Sequence, residues 1–186
     1  MAMNLGDEDL LPGERPIQSK AANAVISMSE HGLEQRGYHG AMGLVGMKGQ
    51  EAIGGKLHLT SYRLLFKSHG MNRATGSVSI YLPTITGLED RSKFVTRKIG
   101  VRTEATDSEF VAWGVSGLIQ SIQAAADAVG PAERDAMLAE IDRHPERGGG
   151  GLSTAGADEM DAIVANPAGN LEAITAIVVQ ELRGRR

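Results

Sequence analysis

The sequence predicts a mostly β fold, a small barrel or sandwich closed by an amphipathic helix, with further helices C-terminal to it. Three observations predict it. Residues 55–66 hold two alternating patterns that meet across a polar turn, as in a β-hairpin: Leu57 and Leu59 share one strand face, and Leu64 and Phe66 resume the apolar phase after the turn. Seven or so strand-like segments succeed one another up to about residue 117. From Leu118 onward the apolar period becomes that of a helix.

Taken in order, residues 1–19 read as a polar leader, because Pro12-Gly13 and Pro16 interrupt any regular element. Residues 23–28 form a first strand of weak alternation. The glycine-rich stretch 37–55 holds either a strand around 41–47 or a mobile loop. In the hairpin, Lys56, His58 and Thr60, then Arg63, Leu65 and Lys67, occupy the face opposite the leucines. Residues 68–77 are a loop leading into the alternating Val78, Ile80 and Leu82, and Pro83 ends that strand or places it at an edge. Further strands are expected at 84–90, 98–104 and 109–115. Leu118, Ile119, Ile122, Ala125, Ala126 and Val129 then follow helical spacing, with Ser116 as cap and Gly130-Pro131 as stop. A second helix covers 132–144, with Met137, Leu138 and Ile141 on one stripe. The domain proper is thus 20–130, followed by the helix (131–145), a linker with four consecutive glycines (146–156) and a short helical tail (157–186).

Composition narrows the function classes. In 186 residues the hydrophobic fraction of 41% is ordinary, whereas aromatics at 4% are too few for a face that stacks nucleobases, so no nucleic acid is expected. The absence of cysteine removes disulfides, thiolate metal sites and cysteine nucleophiles together. Asp7, Glu8 and Asp9 stand where a signal peptide needs basic residues. The best candidate for a bilayer span, 171–182, is interrupted by Glu172, Thr175, Gln180 and Glu181. A cytoplasmic protein is expected, with peripheral membrane association as an option.

Several of these segments resemble one family. Gly55-x-Leu57-x-Leu59-Thr60-x-x-Arg63-Leu64-x-Phe66, then Ser79-Ile80-x-Leu82-Pro83-x-Ile85, then Glu109-Phe110-x-x-Trp113 resemble the GRAM-domain pattern, over roughly residues 13–129. The resemblance implies a pleckstrin-homology-like, seven-stranded, partly open barrel whose end is plugged by the amphipathic helix. It also implies that Leu57, Leu59, Leu64, Phe66, Ile80, Leu82, Trp113, Leu118 and Ile122 are core residues. The segment 37–55 departs from the family pattern.

The net charge of −4 conceals an asymmetry: residues 48–104 carry ten Lys or Arg against four Asp or Glu, while the residues before sum to −3 and those after to −7. The candidate ligand-binding residues are therefore Lys67 and Arg73 in one group and Arg91, Lys93, Arg97 and Lys98 in another, suited to an anionic lipid head group or membrane surface. Phe94 and Val95, set among these charges, supply apolar groups for an interface. The same run also fits a solvated strand face, with Phe94 in the core or on its rim. At ~1 kcal/mol per basic residue near an anionic surface, the charges alone bind weakly, so oligomerisation or a second contact is required.

Catalytic and metal readings find less. His31, His39, His58, His69 and His144 show no ligand spacing, Ser61 and Ser68 lack a nucleophile elbow, and neighbouring Glu89 and Asp90 face opposite sides of a strand. The glycines at 37, 40, 43 and 46 lack the setting of a phosphate loop. No cofactor and no metal is expected. In the tail, Leu171, Ile174, Ile177, Val178 and Leu182 make an apolar stripe that is too short to stand alone in water. It packs on its own domain, on a second copy as a homo-oligomer contact, or on a protein partner. The sequence therefore points to a non-catalytic adaptor, either an anionic-lipid binder or a protein-interaction module.

Overall fold

The strand-forming half of the chain builds one antiparallel sheet. In the computed structural model, residues 4–27, 50–69, 74–104, 106–144 and 151–154 are described. The strands are β1 (Pro16–Ser27), β2 (Gln50–Thr60), β3 (Arg63–Ser68), β4 (Ala74–Tyr81), β5 (Gly87–Asp90), β6 (Lys98–Arg102), β7 (Asp107–Ala112) and β8 (Gly151–Thr154). Their spatial order is β5-β6-β7-β1-β2-β3-β4-β8, and every pairing is antiparallel. The long strand β1 joins two groups, pairing along its whole length with β2 and through Ala22–Val25 with β7. Helix α1 (Val115–Asp127) packs against β5, β6 and the 3-10 turn Leu82–Thr84, and so fills the opening between the two ends of the sheet. This is the expected mostly β, partly open barrel closed by a helix after its seventh strand, with an eighth strand, β8, added at the β4 edge.

The interior follows the alternation. Leu57 and Leu59 from β2, Leu64 and Phe66 from β3, Ile80 from β4, Ile99 and Val101 from β6 and Phe110 from β7 meet Leu118 and Ile122 of α1. Phe66 and Phe110 pack at 5.8 Å between ring centres. Gly55 is needed where β2 pairs with the end of β3, because a Cβ there would lie 2.1 Å from the Lys67 carbonyl oxygen and 2.7 Å from the Phe66 ring.

Burial does not stop at the inner face. Every residue of β3 is buried, and so are His58 and Thr60. The cover comes from helix α2 (Pro131–Arg143) and the segment before β1, which form a second core in which Leu11, Tyr62 and Tyr81 meet Met137, Leu138 and Ile141. Beneath this cover the Arg63 guanidinium donates to both carboxylate oxygens of Glu14, at 3.0 and 3.1 Å, to Ser79 Oγ at 2.9 Å and to the Asp9 carbonyl at 2.6 Å. Glu14 also accepts from the Thr60 hydroxyl and the Leu11 amide. The Arg63–Glu14 pair is thus hydrogen-bonded at all three guanidinium nitrogens and both carboxylate oxygens, which is the condition under which burying two charges is tolerable.

Several expectations are corrected. β1 starts at Pro16, so the leader is shorter than 1–19, and its Leu11 and Glu14 are buried. Trp113 is 78% exposed, because the inward phase of β7 falls on Phe110 and Ala112 and leaves Trp113 out of phase. Gly114, in a left-handed conformation, takes the N-cap position expected of Ser116. The expected linker 146–156 contains β8, which pairs with the outer edge of β4. The question of a strand at 41–47, and the tail 157–186, lie outside the described residues.

Candidate functional site

The hairpin β5–β6 carries four of the expected basic residues, and its backbone separates them into two pairs. Beyond Asp90 and Lys98 the two chains stay paired: the Arg91 amide donates to the Lys98 carbonyl at 2.8 Å, and Lys93 and Thr96 exchange hydrogen bonds of 3.0 and 2.9 Å. Phe94 and Val95 are the two residues of the turn. Phe94 has φ 50, the left-handed region where a side chain is strained and where a two-residue turn ordinarily places glycine. Its side chain touches nothing that compensates, since Phe94 is 100% exposed and Val95 85%.

Arg91 and Lys98 turn back onto the sheet. Glu89, Gly100 and Glu109 lie side by side across β5, β6 and β7, and the Arg91 side chain lies over the bare Gly100, where a Cβ would come within 2.4 Å of its Nε. From there it donates to Glu89 at 3.0 Å, Asp107 at 2.8 Å and Glu109 at 3.1 Å. Lys98 donates to Glu109 at 2.8 Å and Arg102 to Glu89 at 2.9 Å. Three cations thus face three carboxylates. The Arg91 hydrogen bond holds the Asp107 carboxyl below its ordinary range. At Glu109 partial burial pushes upward, but the hydrogen bonds from Lys98 and Arg91 outweigh it and leave this carboxyl lowered as well.

Of the other expected residues, Lys67 is buried beneath the leader segment with its ammonium on Asp9. Arg73, and the apolar stripe Leu171, Ile174, Ile177, Val178 and Leu182, lie outside the described residues. Lys93 and Arg97 remain exposed, and neither forms an ion pair among the described residues. Among the described residues much of the basic excess of the centre is therefore paired within the fold, and Lys93 and Arg97, exposed and without an ion pair there, flank the Phe94-Val95 turn. Its acidic neighbour Asp90 is tied down by the Ser92 amide at 2.9 Å.

Sequence reasoning placed Phe94 and Val95 among the charges but missed two other exposed apolar side chains, Trp113 and Ile17, which is 54% exposed. The signal for Trp113 was available: alternation through Phe110 and Ala112 sends it outward. Among the described residues no cluster of histidine and carboxylate side chains gathers at metal-binding distance, and no helix is long and apolar enough to cross a membrane.

No family model matches the chain, and no curated protein matches it. Among solved structures, the C-terminal domain of an unknown protein from Leishmania infantum aligns with TM-score 0.41 and 19% identity, covering 62% of this chain and 86% of that one. The Vps36 N-terminal PH domain aligns with TM-score 0.41 and 16% identity, covering 63% and 83%. The functional reading rests on the site itself.

Proposed function

We propose that this domain is a non-catalytic binding module that docks on an anionic lipid surface through the tip of the β5–β6 hairpin. The observation that carries it is a strained, fully exposed Phe94 beside an exposed Val95, flanked by exposed Lys93 and Arg97. A phenylalanine at positive φ with no packing costs folding stability of order 1–3 kcal/mol, so its place at this turn is accounted for by a contact made outside the folded chain.

Magnitudes favour the same reading. Two cations near an anionic surface contribute about 1 kcal/mol each. Burying Phe94 and Val95 adds up to about 1.5–3 kcal/mol each. Together these approach the ~8 kcal/mol of micromolar binding, which charge alone does not reach. Head-group specificity is not part of the reading, because an apolar tip with two flanking cations recognises a charged interface rather than one lipid.

The test is co-sedimentation of the full chain with phosphatidylcholine vesicles, with and without phosphatidylserine. Binding is expected only to the charged vesicles, falling as salt rises, and Lys93→Glu combined with Arg97→Glu should reduce it at least tenfold. Equal binding of the double variant would remove the hairpin tip from the account.

A further inference from the structure

Four large apolar side chains are exposed among the described residues, Ile17, Phe94, Val95 and Trp113, and the strand registers gather them at one end of the barrel. β6 begins where β7 ends: Lys98 faces Val111, and the Ala112 amide donates to the Arg97 carbonyl at 3.0 Å, so Trp113 lies next to the base of the hairpin finger. β1 runs antiparallel to β7 with Ala22 facing Ala112, so the start of β1 reaches the same end. Lys20 joins the two, its ammonium donating to the Trp113 carbonyl at 3.1 Å and lying against Gly114. Ile17 stands three residues earlier, in the bulge between Pro16 and Gln18. Arg15 stands two residues before Ile17, Lys93 and Arg97 flank the hairpin turn, all three are exposed, and Glu14 at the same end is buried on Arg63.

We propose that Trp113 and Ile17 form, with Phe94 and Val95, one apolar rim that seats this end of the barrel on an anionic bilayer, with Trp113 at the head-group level and Phe94 deeper. This deepens the function proposed above and rests on it. The depth order follows from the hairpin: Arg97 is level with Ala112, so Thr96, paired with Lys93, is level with Trp113, and the two turn residues stand one residue further out, about 3.3 Å of backbone, with the Phe94 ring projecting from there. Tryptophan, with an apolar body and a polar N–H, favours the membrane–water interface, whereas phenylalanine enters the hydrocarbon. Three basic residues around four apolar ones match a charged bilayer better than a protein groove, which would need complementary carboxylates at fixed positions.

Trp113 is the only tryptophan of the chain, so its fluorescence reports this rim directly. The full chain is mixed with phosphatidylcholine–phosphatidylserine vesicles carrying bromine either near the glycerol end or near the tip of the acyl chains, and co-sedimentation is measured in parallel. The expected result is a blue shift with stronger quenching by the shallow bromine, and an Ile17→Ser variant that binds about five- to tenfold more weakly. Bound protein whose Trp113 emission is unchanged would overturn the rim and leave the hairpin-tip reading standing. No binding to the vesicles would overturn both. A concentration-dependent blue shift without vesicles would assign the rim to a second copy of the chain and also overturn the proposal.

Discussion

At the scale of single residues, similar cations in one short segment have different work. Arg63 sits in a strand pattern that sends it away from the leucine core, yet it is buried because Glu14 and α2 cover that face. Its guanidinium is held by charge-assisted hydrogen bonds, and removing one partner strands the other charge. Arg63→Met should therefore lower unfolding free energy by about 3–5 kcal/mol, and Arg63→Met combined with Glu14→Leu should recover part of the loss, as measured by urea denaturation. Full additivity of the two changes would show that the pair is not coupled. The side chains of Lys93 and Arg97, by contrast, are exposed and form no ion pair among the described residues, and replacing them should leave stability within about 0.5 kcal/mol of the wild type.

At the scale of elements, the strands were legible and the coverings were not. The hairpin at 55–66, the break at Pro83 and the helix from Leu118 all carry periods that two or three residues reveal, and the structure places them as expected. What alternation could not report is a second layer. It assigns Arg63, Lys67 and His58 to an outer face but cannot say that α2 and the segment around Leu11 lie over it. One local sign existed: Leu65 adds an apolar residue out of phase, and a near-continuous apolar run belongs to a strand covered on both sides. β8 was hidden for another reason, since four residues beside a glycine run show no period at all. If α2 is a true second layer, Met137→Ala should destabilise the domain by about 2–5 kcal/mol, whereas a dispensable appendage would lose nothing.

The acidic pair of the β5–β7 surface gives this scale a pH signature. Asp107 and Glu109 have carboxyls held below their ordinary values in the folded chain. Their contribution to stability is accordingly complete above the ordinary carboxylate range and is lost as pH falls through the lowered values. Arg91→Met should flatten that acid limb in denaturation measured from neutral pH downward, with the larger loss of stability at neutral pH. A variant with an unchanged slope would show that Arg91 does not set these two groups. The effect is moderate, because Asp107 is nearly half exposed and solvent screens its pairing.

At the scale of the whole molecule, the arrangement divides the barrel into a part built for folding and an end that faces outward. The basic excess read from the sequence suggested a broad positive surface. The fold instead pairs Arg63, Lys67, Arg91, Lys98 and Arg102 with carboxylates and leaves Lys93 and Arg97 at the hairpin tip. Charge counting could not foresee this, because all the partners but Glu89, namely Asp9, Glu14, Asp107 and Glu109, come from sequence regions outside the basic segment. The apolar half of the site was legible only as the pair Phe94-Val95, and its neighbours Trp113 and Ile17 join it through strand register, which is a three-dimensional fact.

The most direct measurement compares wild type and Phe94→Gly for both thermal unfolding and vesicle binding. Glycine relieves the positive φ at the turn, so the variant should unfold at an equal or higher temperature, by about 1 kcal/mol in stability. Its binding to phosphatidylserine vesicles should fall at least tenfold, since the largest apolar group of the tip is gone. A variant that is destabilised and still binds as the wild type does would contradict the account, because Phe94 would then serve the fold and not the membrane.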